Sequence, residues 1–133
     1  MKKILLKNAN LVLENKIEKA TVLICEDKIE KIFSKDLDLS EIVYDDLIDL
    51  EGKYLGPAFV DVHVHGADGA DAMDIDEEAL RKVSKYLAKE GTANFLVTTL
   101  TSTKDELKRV LEITAKLQNK DIDGANIFGV HME

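Results

Sequence analysis

Phe59-Val60-Asp61-Val62-His63-Val64-His65-Gly66 decides how the rest of this chain is read. Apolar residues alternate with Asp61, His63 and His65, and the alternation stops at a glycine. Successive side chains of a β-strand point to opposite faces, so Asp61, His63 and His65 share one face. Two imidazoles at i and i+2 start about 6.5–7 Å apart at Cβ, near enough to converge on one ion beyond the strand's end. A lone histidine on a strand is more often a hydrogen-bonded core residue than a ligand. A pair on one face, at the strand's end and ahead of a Gly/Asp-rich loop, points to metal ligation. The opposite face, Val60, Val62 and Val64, is uniformly apolar and is expected to be buried against a helix layer, as in a parallel sheet. A strand polar on one face and ending at Gly66 is expected in a barrel with its site at the strands' C-terminal mouth.

Downstream, Gly66-Ala67-Asp68-Gly69-Ala70-Asp71 is expected to be a loop whose glycines permit tight turns. Asp68, Asp71 and Asp74 lack the spacing and terminal glutamate of a calcium loop, so a calcium site is not expected. Asp76 is placed to cap a helix, with Glu77 and Glu78 in its first turn. Leu80, Val83, Leu87 and Ala88 recur at helical spacing, and Gly91 closes the helix. Thr92–Thr99, with Phe95-Leu96-Val97, reads as a second buried strand. Thr103 and Glu106 form a capping box for a helix with the apolar stripe Leu107, Val110, Leu111, Thr114 and Leu117. Asp123-Gly124 is a turn, and Ile127–Glu133 reads as a third buried strand. Strand, helix, strand, helix, strand is the βαβ pattern, with parallel strands and right-handed crossovers. Three strands and two helices would leave a long sheet edge uncovered, so the chain is expected to be the front part of a larger α/β protein.

Upstream, residues 1–50 read as short strands with polar turns. Ile4-Leu5-Leu6 and Leu11-Val12-Leu13 are expected to flank a turn at Asn8-Ala9-Asn10, with a further turn at Asn15-Lys16. Thr21–Cys25 and Lys28–Phe33 are expected to form a hairpin about Glu26-Asp27. Ser34–Ser40 is expected to be a loop, Glu41–Leu50 β-rich, and Gly52–Pro57 a break in the chain. Residues 1–55 are therefore assigned to a small β unit without a site of its own, and 56–133 to the α/β unit.

The 133 residues carry 18 Lys and Arg against 26 Asp and Glu, a net charge of −8, and 45% of them are hydrophobic. An acidic surface repels phosphate backbones, which argues against nucleic-acid binding. Cys25 is the single cysteine; it cannot form an internal disulfide and reads as a structural thiol in a reducing compartment. Met1-Lys2-Lys3 is followed by too short an apolar run for a secretory signal, and no run approaches the ~20 residues of a membrane span. A soluble, cytoplasmic protein is expected.

Three blocks carry a family resemblance: His63-Val64-His65-Gly66 with Gly69-Ala70-Asp71-Ala72-Met73-Asp74, then Glu90-Gly91-Thr92-Ala93-Asn94-Phe95-Leu96, then Gly129-Val130-His131-Met132-Glu133. The first resembles strand one of the amidohydrolase superfamily. Taken together they resemble the front third of the N-acetylglucosamine-6-phosphate deacetylases within that superfamily. The resemblance implies a (β/α)8 barrel, truncated here after its third strand, with a small β-sandwich to which residues 1–55 contribute. It implies that His63, His65 and Glu133 are metal ligands for one or two divalent ions, zinc or iron. Strand alternation puts His131 on the face of Glu133, where it is expected to support the ligands or to be a core residue, and Asp61 is the other candidate supporting group. The resemblance further implies removal of acetate from a phosphorylated N-acetylated amino sugar by a homo-oligomeric enzyme. The family's general-base aspartate and two further metal histidines fall outside these residues, so no catalytic residue is assigned here and the chain alone is expected to be inactive. Two departures stand out: Pro57-Ala58-Phe59 where the family has Pro-Gly-Phe, and Met132 where leucine is common. Another amidohydrolase, such as a dihydroorotase or adenine deaminase, and a non-catalytic self-associating module are the alternatives.

Overall fold

A ten-residue strand, β1 (Lys3–Val12), organises the first half of the chain in the computed structural model, which describes residues 1–34 and 38–133. On one side β1 pairs antiparallel with β2 (Ile17–Cys25), which pairs antiparallel with β3 (Lys28–Ser34). On the other side it runs parallel to β4 (Asp46–Asp49) and then to β5 (Tyr54–Leu55). The two strands expected around Asn8-Ala9-Asn10 are therefore one. Leu6 faces Val22 and Ala9 faces Ala20, so β1 carries an extra residue at this point, with Asn8 at φ 57°. Asparagine tolerates the left-handed region, and here it makes a bulge instead of a reversal. The Glu26-Asp27 hairpin forms as expected, with Glu26 at φ 55°. Leu6, Leu11, Ala20 and Val22 form the buried cluster of this sheet. Of the β-rich segment expected over Glu41–Leu50, only β4 is a strand. The loop expected over Ser34–Ser40 includes residues 35–37, which lie outside the described residues. From Asp38 onward, the Asp38 carboxylate accepts the Ser40 N–H at 2.9 Å and caps a short 3-10 turn, Leu39–Glu41.

Asp49, at the end of β4, locks the bulge. Its carboxylate accepts from Asn8 Nδ2 at 2.8 Å and from the Glu51 N–H at 2.9 Å, and it pairs with Lys7 Nζ at 3.0 Å. The Asn8 amide, then the Glu51 N–H and Lys7, hold the Asp49 carboxyl at about 2, below its usual 3.8. A carboxyl lowered on folding contributes stability that is complete above the unfolded pKa and is lost as pH falls through the folded one. Asp49→Asn is therefore expected to flatten the acid limb of the unfolding curve between about pH 4 and pH 2. Midpoints of urea unfolding at several pH values, parent against variant, check this.

The chain divides into two compact units, Met1–Pro57 and Ala58–Glu133. In the second unit β6 (Phe59–Val64) is followed by a hairpin of β7 (Gly66–Ala67) and β8 (Ala70–Asp71), then by α1 (Glu77–Lys89), β9 (Thr92–Thr98), α2 (Lys104–Leu117) and β10 (Asn126–His131). The sheet is parallel, in the order β10-β9-β6. The expected loop at Gly66–Asp71 is a tight hairpin because Asp68 and Gly69 both take positive φ, 52° and 73°, the geometry that an Asp-Gly pair favours in a two-residue turn. Asp76 occupies the N-cap position of α1, but its side chain makes no capping bond. Thr103 and Glu106 do form the capping box of α2. Gly91, at φ 89°, follows the last turn of α1 and permits the left-handed exit that ends it. Leu80, Val83 and Leu87 from α1, Phe95 and Val97 from β9, Val110 and Leu117 from α2, and Ile127 from β10 form the core. Ala88 and Leu111, expected on the helical stripes, are exposed.

The face of β6 departs from expectation. Val64 packs against the core, but Val60 and Val62 are each 56% exposed. β6 is the edge of the sheet, while α1 packs on β7, β8 and β9, and α2 on β10. Alternation showed that the face is apolar, but only the neighbours decide whether it is covered. No helix among the described residues is long and apolar enough to cross a membrane.

Candidate metal centre

Two strand ends meet at the C-terminal edge of the parallel sheet. His63 lies in β6 and His65 just beyond it; Glu133 lies two residues past β10. Parallel strands put these ends side by side with β9 between them. His63 Nε2 and His65 Nε2 are 3.3 Å apart. Glu133 approaches both, with Oε1 at 3.2 Å from His63 Nε2 and Oε2 at 3.7 Å from His65 Nε2. One donor atom from each residue lies within 4.8 Å of the others, and this is the group of three found among the described residues. All three side chains are partly open to solvent.

The donor set fits a divalent ion. Bonds of about 2.0–2.1 Å at a tetrahedral centre place neighbouring donors about 3.3–3.4 Å apart, close to the observed separations. Two neutral imidazole nitrogens facing each other at this distance repel unless a proton or a cation lies between them, and a carboxylate alongside favours a cation. Imidazole with carboxylate is a donor set that suits zinc or iron. In that arrangement both histidines would use Nε2 and carry the proton on Nδ1. His65 Nδ1 is buried and has no hydrogen-bond partner in the structure.

Asp61 and His131 stand beside this group without joining it. The Asp61 carboxylate accepts the backbone N–H of His63 at 3.0 Å, so it holds the chain and not the ring. His131 Nδ1 lies 2.9 Å from the Val62 carbonyl oxygen, and its ring meets that of His63 edge-on, with centroids 4.8 Å apart. The Asp71 and Asp74 carboxylates are spent on a capping box, Asp71 accepting from the Met73 N–H at 2.8 Å and Asp74 from the Asp71 N–H at 2.9 Å. Sequence reasoning passed over Thr98 and Thr99, both fully buried at the end of β9. Their only signal was a pair of hydroxyls closing an apolar strand. A cavity of about 720 Å³ lies elsewhere, along the outer face of α1; its lysines Lys82 and Lys85 already face Asp68 and Asp123.

Gly66 follows the histidine pair directly. A Cβ there would come within 2.2 Å of the Ala70 carbonyl oxygen and 2.8 Å of the Asp71 Cα. Both are backbone atoms, so the hairpin would have to open, and with it the bond from the Ala72 N–H to the His65 carbonyl at 2.8 Å. Gly66→Ala is expected to destabilise the fold by about 1–3 kcal/mol, the usual cost of overpacking. Thermal unfolding checks the stability, and the His65 ring resonances in NMR spectra are expected to shift with it.

The α/β fold is shared with solved structures, among them one of an amidohydrolase that superposes with a TM-score of 0.59 at 16% identity, covering 96% of this chain and 31% of that one. No family model matches the chain. The chain is a relative of the N-acetylglucosamine-6-phosphate deacetylases. It is 36% identical to the N-acetylglucosamine-6-phosphate deacetylase of Vibrio furnissii over 88 residues, 66% of this chain and 22% of that protein. The N-acetylglucosamine-6-phosphate deacetylase structure from Pasteurella multocida superposes with a TM-score of 0.82 at 22% identity, covering 98% of this chain and 34% of that one. A dihydroorotase of Fusobacterium nucleatum is 39% identical over a shorter stretch of 61 residues, 46% of this chain and 13% of that protein. The chain thus spans about a fifth of the length of the curated deacetylase relative it matches.

Proposed function

We propose that residues 58–133 carry part of the metal centre of a hydrolase that removes acetate from a phosphorylated N-acetylated amino sugar. The observation that supports this most is the meeting of His63, His65 and Glu133 at one strand edge, in a chain related to deacetylases. On this reading His63 and His65 donate through Nε2, and Glu133 closes the third side with its carboxylate. When bound, a divalent ion, zinc or iron, supplies the Lewis-acid polarisation and the acidification of water that amide hydrolysis needs. Asp61 fixes the backbone at His63, and His131 walls the site on the side of the His63 ring. The parallel sheet forms the opening strands of a (β/α)8 barrel, and the β1–β5 sheet is its share of an accompanying sandwich. Three donors, His63, His65 and Glu133, group together among the described residues, and this reading assigns no general base to them. The isolated chain is therefore inactive in this reading.

The dihydroorotase similarity supports a second reading, hydrolysis of a cyclic amide at the same kind of site. Acetate release from N-acetylglucosamine 6-phosphate and ring opening of dihydroorotate, each with Zn²⁺ or Fe²⁺ added, separate the two. Both are run on the 133-residue chain and on a longer protein that contains it. Acetate release by the longer protein alone supports the proposal. Ring opening without acetate release replaces it with the second reading, and activity of the short chain overturns its inactivity.

A further inference from the structure

We propose that Thr98 and Thr99 are the positioning residues of this metal centre, using their buried hydroxyls to hold the two strand ends that carry the donors. The proposal rests on the metal reading of His63, His65 and Glu133.

The sheet's own ladder does not hold these ends. Between β6 and β9 the register runs Asp61 opposite Phe95 and then Val64 opposite Val97, so β6 has one residue more than its partner across the histidine segment. Ladder bonds cannot stay in step through such an irregularity. Side chains take over: the His63 N–H goes to the Asp61 carboxylate, and the Val64 N–H, between the two histidines, goes to Thr98 Oγ1 at 3.0 Å. On the other flank the chain has left β10 before it reaches Glu133. The Glu133 N–H goes to Thr99 Oγ1 at 3.2 Å, while the Thr99 N–H donates to the His131 carbonyl at 3.0 Å. Thr99 thus clips the chain on both sides of Met132. Adjacent hydroxyls, of the last residue of β9 and the one after it, consequently fix the backbone of the imidazole pair and of the carboxylate from between them.

A valine would fill the same space, so packing alone would not demand a hydroxyl at either position. Both side chains are fully buried, and an N–H deprived of its acceptor near the core shifts to find another. A shift of the Val64 or Glu133 backbone changes donor separations that are now 3.2–3.7 Å. Groups that orient metal ligands from behind typically change affinity 10- to 100-fold when removed.

The test compares T98V and T99V with T98S and T99S, with H63A as the control for the metal reading. Zn²⁺ affinity is measured by competition with a chromophoric chelator, and amide hydrogen exchange is followed at Val64 and Glu133. T98V and T99V are expected to lose about 10- to 100-fold in Zn²⁺ affinity and to speed exchange at Val64 and Glu133 respectively, while the serine variants keep the parent's values. Should T98V fail to fold, T99V carries the test, because the amide it frees belongs to a partly exposed residue. Parent affinity retained in the valine variants, with H63A impaired, overturns the positioning role and leaves the metal reading standing. A parent that binds no more Zn²⁺ than H63A removes the metal reading, and this proposal with it.

Discussion

Replacing His63 or His65 with alanine, or Glu133 with glutamine, is expected to cost the chain about 100-fold in Zn²⁺ affinity each. Four-ligand zinc sites are worth about 10–16 kcal/mol, so one ligand accounts for roughly 3 kcal/mol, or two orders of magnitude. The three donors approach one another from two strands, within 4.8 Å of one another. His131→Ala is the informative contrast. His131 stands outside the group of three donors, so its loss is expected to weaken binding far less than the loss of His63. Isothermal titration of the four variants with Zn²⁺ measures this. Equal losses in H131A and H63A would show that the donors are misassigned.

Phe95→Ala is expected to be the most damaging single change in the core. Phe95 is 1% exposed and stands in register with Asp61 on β6 and Ile127 on β10, at the centre of the three-stranded sheet. Truncating a buried phenylalanine costs about 3–5 kcal/mol, against a total stability of about 5–15 kcal/mol for a typical domain. Phe128, on the neighbouring strand, is 37% exposed, and its truncation is expected to cost about 1 kcal/mol. Urea unfolding of both variants checks the order, which would be reversed if the core lay on the other side of the sheet.

The parts of this fold that were legible in the sequence are those in which one periodicity runs unbroken. Leu80, Val83 and Leu87 marked α1, Thr103 and Glu106 marked the start of α2, and the alternation from Phe59 to His65 marked β6. What stayed hidden depends on partners distant in sequence. Asn8 looks like a turn residue whether it reverses the chain or bulges one strand, and only the pairing of Leu6 with Val22 and Ala9 with Ala20 decides between them. Asp68-Gly69 suits a loop as well as a hairpin until Gly66 is seen opposite Asp71. Val60 and Val62 are as apolar as a buried face, and their exposure follows from the position of β6 at the sheet's edge. In the site, the spacing of His63 and His65 brought the imidazoles to notice. The partners of His131 and of the two threonine hydroxyls are backbone groups, which no residue pattern encodes.

The three-stranded sheet joins each strand to the next one along the chain, and this has a consequence for how the site comes into being. During synthesis the imidazole pair emerges first, and Glu133 follows His65 by 68 residues. At about 5–20 residues per second that interval is roughly 3–14 seconds. Under the proposed metal reading, the nascent chain would for those seconds display two histidines without Glu133, a weaker and less selective trap for ions. Only when the third strand docks would the acidic partner arrive, so the donors within these residues would act together last.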